Sequence, residues 1–191
     1  EVYLATTWPQ LYADLPVKCV QVRTRLRTQA KNAARTDLPW HGQPIAARMM
    51  RSHYVGQPGS ILRCLSAPMR VRPRVFDLPR FPAPSREPYI VVRPATVRSE
   101  WRAESRNPHP GYLDRAVQAL RGRFRIVSVA DLQDGAEWPA EPLPYADERY
   151  HAGELSLEQL LGLVAGAAGV VGGVGWIVPA AVAYRVPLLL V

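Results

Sequence analysis

The feature that most constrains this fold is a run without charged residues, from Leu160 to Tyr184, near the end of the chain. A transmembrane helix needs about 20 consecutive apolar residues, so this run is long enough to span a bilayer. The run also contains Pro179 and six glycines, and each of these residues disfavours one continuous helix. We therefore predict a helix, a short strand, a glycine loop and a second helix, with a transmembrane helix as the alternative.

The clustering of the glycines divides the run into elements. Ser156 followed by Gln159 is a capping-box pattern, which predicts that a helix begins here and continues through LEQLLGLVAGA. The next residues, GVVGG, fit a short buried strand, and GVGW fits a tight loop. IVPAAVAY then predicts a helix with Pro179 in its first turn, and RVPLLLV predicts a final buried strand.

The preceding residues show the same alternation of strand and helix. YIVV, residues 89–92, is a short apolar run typical of a buried parallel strand. Residues 111–124 predict an amphipathic helix, and RIVSVADL, residues 125–132, predicts the next strand. Strand, helix and strand in this order indicate a βαβ unit and a parallel sheet. We interpret the acidic, proline-bearing segment 133–150 as a surface loop.

The first part of the chain is less regular. EVYLATTW at residues 1–8 and VKCVQV at 17–22 predict two strands, and residues 68–88 contain six prolines, which predicts a linker. We therefore expect two domains, 1–85 and 86–191, of α/β class. Because the chain opens and closes abruptly on strands, we expect a fragment, incomplete at the N-terminus of the first domain and at the C-terminus of the second.

The charge distribution raises nucleic acid as a partner without supporting it strongly. The net charge is +8, but 22 of the 24 basic residues are arginine and the whole positive excess lies before residue 86. A basic binding module would use residues 23–35 with Arg70, Arg72 and Arg74. Aromatic residues are not interleaved with these arginines, so we expect no nucleic-acid partner.

The two cysteines form neither a disulfide framework nor a metal site, which favours a reduced, cytoplasmic protein without a bound metal.

Two loops that follow predicted strands are the candidate binding sites. In open parallel sheets, ligands bind outside the carboxyl ends of the strands. The first loop offers arginine forks for phosphate oxygens and an aromatic ring for stacking, on Arg93, Thr96, Arg98 and Trp101. The alternative is a solvated loop whose arginines pair with Glu100 and Glu104.

The second loop is glycine-rich and precedes a helix. Its glycines would let the backbone approach a ligand, and the helix offers free N–H groups to a diphosphate. The residues are Gly172, Gly173, Val174, Gly175 and Trp176. The alternative is tight packing at a strand–helix turn. Glu154, before the capping box, is a candidate acceptor for ribose or sugar hydroxyls, or else a carboxylate of the helix-capping region.

The stretch VVGGVGWIVPAAVAYRVP, after SLEQLLGLVAGA, resembles the carboxy-terminal half of the ADP-heptose:lipopolysaccharide heptosyltransferase group. That group has the GT-B architecture of two Rossmann-like domains facing across a cleft. In its members a strand leads into an Asn-Asp-Thr-Gly-x-x-His loop, a small-residue helix and a Val-Pro strand. This chain carries Gly173 to Trp176 where the Asn-Asp-Thr-Gly would be, and Pro179 falls at the histidine.

The resemblance implies transfer of a sugar from a nucleotide-diphosphate donor to a glycan or lipid-linked acceptor of lipopolysaccharide type. The donor is a substrate, so no cofactor is implied, and no metal is needed if Arg93, Thr96, Arg98 and the amides near Gly173 to Trp176 hold the diphosphate. Trp101 and Glu154 would contact the base, ribose or sugar. The general base would lie before Glu1. The basic first part would face the acceptor, which is either a phosphorylated glycan or an anionic membrane surface that carries it, at the inner membrane face. A GT-B sugar-nucleotide epimerase is the rival enzyme.

Overall fold

The computed structural model describes residues 1–22, 38, 56–72, 77–98, 107–134, 136–140 and 142–191. These residues belong to two compact units, of which the first holds those up to residue 72 and the second those from residue 77 onward. Some residues named in the sequence analysis lie outside the described residues. They are the basic stretch 23–35, Glu100, Trp101 and Glu104.

The first unit contains two short parallel strands, β1 (Tyr3–Ala5) and β2 (Lys18–Val20), with Leu4 in register with Cys19. Both predicted strands are therefore confirmed, with shorter bounds than the sequence suggested. A 3-10 turn at Pro9–Tyr12 lies between them. Helix α1 (Ile61–Ser66) follows, and the hydroxyl of Ser60 caps it by accepting a hydrogen bond from the amide of Arg63.

The second unit contains seven strands and three helices among its described residues. In chain order the strands are β3 (Tyr89–Arg93), β4 (Thr96–Val97), β5 (Arg125–Val129), β6 (Trp138–Pro139), β7 (Glu148–Tyr150), β8 (Gly169–Gly172) and β9 (Leu188–Leu190). The helices are α2 (Pro110–Leu120), α3 (Leu157–Ala165) and α4 (Ile177–Tyr184).

Five of these strands form one parallel sheet, in the spatial order β7-β5-β3-β8-β9. The central strands β3 and β8 are buried along their length, apart from the partly exposed Arg93 at the end of β3, as expected for apolar runs covered on both faces. Leu113 and Val117 of α2 pack against Ile90, Val92 and other buried residues of the sheet. The prediction of an α/β fold with a parallel sheet is confirmed.

The charge-free run divides as the glycine pattern predicted. Helix α3 ends at Ala165, β8 follows, and α4 begins at Ile177. The capping box is formed: Ser156 Oγ accepts from the amide of Gln159, and the Gln159 side chain accepts from the amide of Ser156. In the part of the chain that the structure describes, no helix is long and apolar enough to cross a membrane.

The segment 133–150 differs from the predicted surface loop. It contains β6, which pairs antiparallel with β4, and β7, which forms an edge of the parallel sheet. The sequence signal was weak because β6 has two residues and β7 is a polar edge strand of three residues, Glu148–Tyr150. Neither strand therefore presents the apolar run on which the prediction depended.

The second half of the predicted linker packs along the second unit. We call residues 77–88 the proline strap. The backbone of Pro82 lies so close to Gly162 in α3 that a Cβ there would overlap its carbonyl oxygen, and a Cβ on Gly166 would overlap Ala83. The Tyr184 hydroxyl donates to the Pro79 carbonyl at 2.6 Å. The glycines one helical turn apart thus form a groove that the proline strap fills.

Candidate functional site

A cavity of about 280 Å³ lies at the carboxyl ends of β3 and β8. Its lining includes Arg93, Thr96, Arg98 and Asn107 from one side and residues 173–176 from the other. The two loops meet because β3 and β8 are adjacent parallel strands, with Arg93 in register with Gly172. The structure therefore brings the two sequence-predicted loops together at the sheet edge where α/β proteins bind ligands. Trp101 is not among the described residues.

A buried carboxylate, Glu137, organises the arginine side of the cavity. Arg93 donates from Nη2 to Glu137 Oε2 at 2.5 Å, and Arg98 donates from Nε to Glu137 Oε1 at 2.7 Å and also from Nη2 to the same oxygen. The Glu137 side chain is 2% exposed, against 11% for Arg93 and 35% for Arg98. We call these three residues the Arg–Glu cluster.

Arg93 is further held by its neighbours. Its Nη1 donates to the carbonyl of Val129 at 3.3 Å, and its Nη2 lies 3.1 Å from the hydroxyl of Thr96. The side-chain amide of Asn107 donates to the carbonyl of Thr96 at 3.0 Å. Arg93 is therefore held by protein groups and forms a fixed part of the cavity lining. Arg98 is more exposed, and its guanidinium group has N–H donors in addition to the two that bond to Glu137.

The carboxylate of Glu137 is ionised in the folded state. Burial opposes this by raising the pKa, but the charges and hydrogen bonds of Arg93 and Arg98 outweigh burial and lower the pKa of Glu137 below its ordinary value of 4.5. The cluster thus carries two positive charges and one negative charge, a net charge of +1. An anion in the cavity would meet a weakly positive wall.

The glycine loop forms the other side of the cavity. The amides of Val174, Gly175 and Trp176 have no backbone hydrogen-bond acceptor among the described residues, whereas the amide of Gly173 belongs to the ladder that pairs β8 with β3. They precede α4, whose N-terminus carries a partial positive charge from the aligned peptide dipoles. Backbone N–H groups of this kind bind phosphate and other anions. Gly172 does not line the cavity, and instead contacts Arg93 as the last residue of β8.

Glu154 is not brought to the cavity. Its side chain is exposed, and its Oε2 accepts from the amide of Ala152 at 2.8 Å. Hydrogen bonds from backbone amides, its own first and then those of Ala152 and His151, lower the pKa of Glu154. Glu154 thus satisfies a backbone donor of the loop that precedes α3, whereas Ser156 and Gln159 form the helix cap.

Two features at the carboxyl edge of the sheet were not predicted from the sequence. Glu137 lies in the segment interpreted as a loop, 39 and 44 residues from the arginines that it joins.

The second feature is a contact between Ser128 and His151. Ser128 is 1% exposed, and its hydroxyl lies 2.9 Å from Nε2 of His151. Burial, then the positive charges of Arg149 and Arg93, lower the pKa of His151, while Glu154 opposes this. Within the described ranges no three His, Cys, Asp or Glu side chains are grouped to hold a metal ion.

Comparison with known proteins relates this fold to glycosyltransferases. No protein-family model matches the sequence, and no curated protein sequence matches it. The dodecameric iron-containing heptosyltransferase TibC in complex with ADP-D-β-D-heptose matches with a TM-score of 0.53 and 15% identity, over 100% of this chain and 57% of that chain. TibC from enterotoxigenic E. coli H10407 matches with a TM-score of 0.57 and 16% identity, over 96% of this chain and 52% of that chain.

The chain therefore spans about half the length of the solved structures it matches. At this identity the likeness shows the fold. The described parallel sheet with its flanking helices is a Rossmann-like α/β fold of the kind found in these glycosyltransferases.

Proposed function

We propose that this chain is part of a glycosyltransferase that moves a sugar from a nucleotide-diphosphate donor to a glycan or lipid-linked acceptor. The observation that carries the proposal is that Arg98 and the unbonded amides of Val174, Gly175 and Trp176 line one cavity at the carboxyl edge of the parallel sheet. A cationic fork and free backbone donors facing one space match the chemistry of a diphosphate.

The proposed mechanism concerns the donor side of the reaction. As the bond between the anomeric carbon and the diphosphate oxygen breaks, negative charge develops on the departing diphosphate. Arg98 and the amides would stabilise this charge, and the N-terminus of α4 adds a favourable dipole. Such stabilisation performs the task that a metal ion performs in other enzymes, so the proposal includes no metal.

The size of the cavity suits the diphosphate better than the whole donor. Its volume of about 280 Å³ is just below that of typical ligand pockets, which measure about 300–1,000 Å³. The nucleoside and the sugar would extend beyond the described lining. The solved TibC complex contains ADP-D-β-D-heptose, which supports a nucleotide sugar as the donor class. The first unit would be the acceptor side of a GT-B enzyme.

Calorimetric titration of the full chain with ADP, UDP, GDP and CDP tests the proposal. We expect one of them to bind, and Arg98→Ala to weaken its binding by about 10-fold or more, since a hydrogen bond to a charged group contributes about 1.5–3 kcal/mol. Arg123→Ala is the matched control, because Arg123 is an exposed arginine that does not line the cavity. Absence of binding, or equal binding by wild type and Arg98→Ala, would contradict the proposed site.

A further inference from the structure

The two arginines at the cavity share one carboxylate, and they divide its oxygens between them. Arg93 donates to Oε2 of Glu137, whereas Arg98 donates to Oε1 through two of its nitrogens. A carboxylate that accepts from two guanidinium groups fixes the orientation of both planes. Glu137 itself is nearly fully buried, so it contacts the cavity only through the arginines.

The backbone explains why Glu137 reaches Arg98. Strands β4 and β6 are antiparallel, with Thr96 opposite Pro139 and Val97 opposite Trp138. Arg98 directly follows β4 and Glu137 directly precedes β6, so the paired strands bring the two residues to the same end of the ribbon. An ion pair between opposite charges on neighbouring strands stabilises their pairing. The amide of Ala140 donates to the carbonyl of Ala95 at 2.9 Å and fixes the other end of the ribbon.

We propose that Glu137 is the positioning residue of the phosphate site. It orients Arg98 toward a bound diphosphate and holds Arg93 as the wall behind it. This inference rests on the proposed function for the identity of the ligand. Glu137 itself touches neither the donor nor the reacting atoms.

Substitution of Glu137 separates orientation from charge. Glu137→Gln raises the net charge of the Arg–Glu cluster from +1 to +2, which by itself would strengthen anion binding. If Glu137 orients Arg98, the same substitution weakens binding, because one neutral amide cannot accept from both guanidinium groups in the same way. The sign of the change in affinity therefore decides between the two roles.

Inorganic pyrophosphate is the probe, since it addresses the phosphate site without the nucleoside. We expect Glu137→Gln to weaken pyrophosphate binding by about 10-fold, comparable to the loss on removing an outer partner of a metal ligand, about 10–100-fold. Glu148→Gln is the matched control, because Glu148 pairs with Arg125 at 2.9 Å, does not line the cavity, and its substitution changes the net charge equally. Unchanged or tighter binding by Glu137→Gln would overturn the inference.

Two further measurements keep the inference testable, the first if Glu137→Gln folds poorly and the second if pyrophosphate does not bind. Arg98→Lys keeps the charge but loses the fork, so weaker pyrophosphate binding supports orientation and unchanged binding contradicts it. In the ligand-free protein, the NMR signal of the Arg98 Nε–H should be ordered and protected from solvent exchange. It should lose that protection in Glu137→Asp, whose side chain is shorter; equal protection would overturn the positioning role.

These outcomes separate the inference from the proposed function. If no nucleoside diphosphate binds, but pyrophosphate binds and Glu137→Gln weakens its binding, the glycosyltransferase proposal fails and the positioning role at a phosphate site stands. If a nucleoside diphosphate binds and Arg98→Ala abolishes binding, but Glu137→Gln binds pyrophosphate at least as well as wild type, the positioning role fails and the proposed function stands.

Discussion

Gly172 lies beside Arg93 in the parallel sheet, and a Cβ built on Gly172 would be 3.0 Å from the Cβ of Arg93 and 3.3 Å from its carbonyl oxygen. Both contacts are tighter than most real Cβ contacts, so an added Cβ would require the neighbouring strand to move by a few tenths of an ångström. The glycine therefore favours the close approach of the two strands. Because Arg93 begins the loop that lines the cavity, this contact also sets where that loop leaves the sheet.

Gly172→Ala should destabilise the fold by about 1–3 kcal/mol, the usual cost of overpacking a close-packed site. Gly175→Ala is the control, since a Cβ there meets nothing within 4 Å and Gly175 does not have a positive φ. Urea unfolding of both variants measures the difference in free energy of unfolding. Equal stability of the two variants would contradict the packing role assigned to Gly172.

The groove under the proline strap makes a second prediction. Gly162→Ala places a methyl group against the carbonyl of Pro82, a backbone atom that cannot rotate away. We expect a loss of about 1–3 kcal/mol in the free energy of unfolding. We also expect faster proteolytic cleavage within residues 77–88, measured by limited proteolysis and mass spectrometry. Cleavage at the wild-type rate would show that the proline strap is not held in the groove.

Tyr184 provides a milder test of the same packing. Tyr184→Phe removes the hydroxyl that donates to the Pro79 carbonyl and leaves the ring in place. Loss of one such hydrogen bond typically costs about 0.5–1.5 kcal/mol. Tyr112→Phe is a suitable control, because the Tyr112 side chain is exposed and lies on α2. A thermal shift of equal size in the two variants would argue against the strap contact.

Breaking the Arg–Glu cluster should be costly. Glu137→Ala leaves the largely buried Arg93 without its carboxylate, and breaking a buried ion pair on one side typically costs about 3–5 kcal/mol. The double variant Arg93→Met with Glu137→Leu should recover much of that loss. Chemical denaturation measures both, and a single variant as stable as wild type would refute the coupling.

The same cluster predicts an acid dependence. The arginines lower the pKa of Glu137 in the folded state, so its stabilisation is fully present above the ordinary value of 4.5. It is lost as the pH falls through the lower folded pKa, because the unfolded chain then binds the proton more readily. The free energy of unfolding of Glu137→Gln should therefore depend less on pH below 4.5 than that of wild type.

His151 predicts a dependence nearer neutrality. Its pKa in the folded state lies below the ordinary value of 6.5, because it is partly buried beside Ser128 and lies near Arg149 and Arg93. Between the two pKa values the unfolded chain binds more protons, so stability falls as the pH is lowered from 7.5 into that window. His151→Gln should flatten this slope in denaturation curves recorded at several pH values. An unchanged slope would mean that another group titrates there.

The sequence predicted most of the second unit because its elements have strong local signals. The glycines and the capping box at Ser156 divide the charge-free run by residue type alone, and β3 and β8 read as apolar runs. The two candidate loops were located by a general rule for parallel sheets, applied to residues 93–110 and 172–176. These predictions depend only on residues close together in the sequence and on the rule that ligands bind at the carboxyl edge of a parallel sheet.

The cluster around Glu137 was not predictable in this way. The arginines were assigned to a ligand or to Glu100 and Glu104, which are close in sequence, whereas their observed partner is contributed by a ribbon of two-residue strands. The pairing of Ser128 with His151 likewise requires the position of β7, a short polar edge strand. Long-range pairing of polar groups leaves no periodic pattern in the sequence, so both features emerge only from the fold.

The way the proline strap fills the side of α3 has a practical consequence for dissecting this chain. A recombinant second unit that started at Arg86 would lack Pro82 and Ala83, which pack against Gly162 and Gly166. It would also lack the Pro79 carbonyl that accepts from the Tyr184 hydroxyl. Starting at Asp77 would keep that cover. The apparent spacer is thus an outer layer of the unit itself, and the first safe place to cut lies upstream of it.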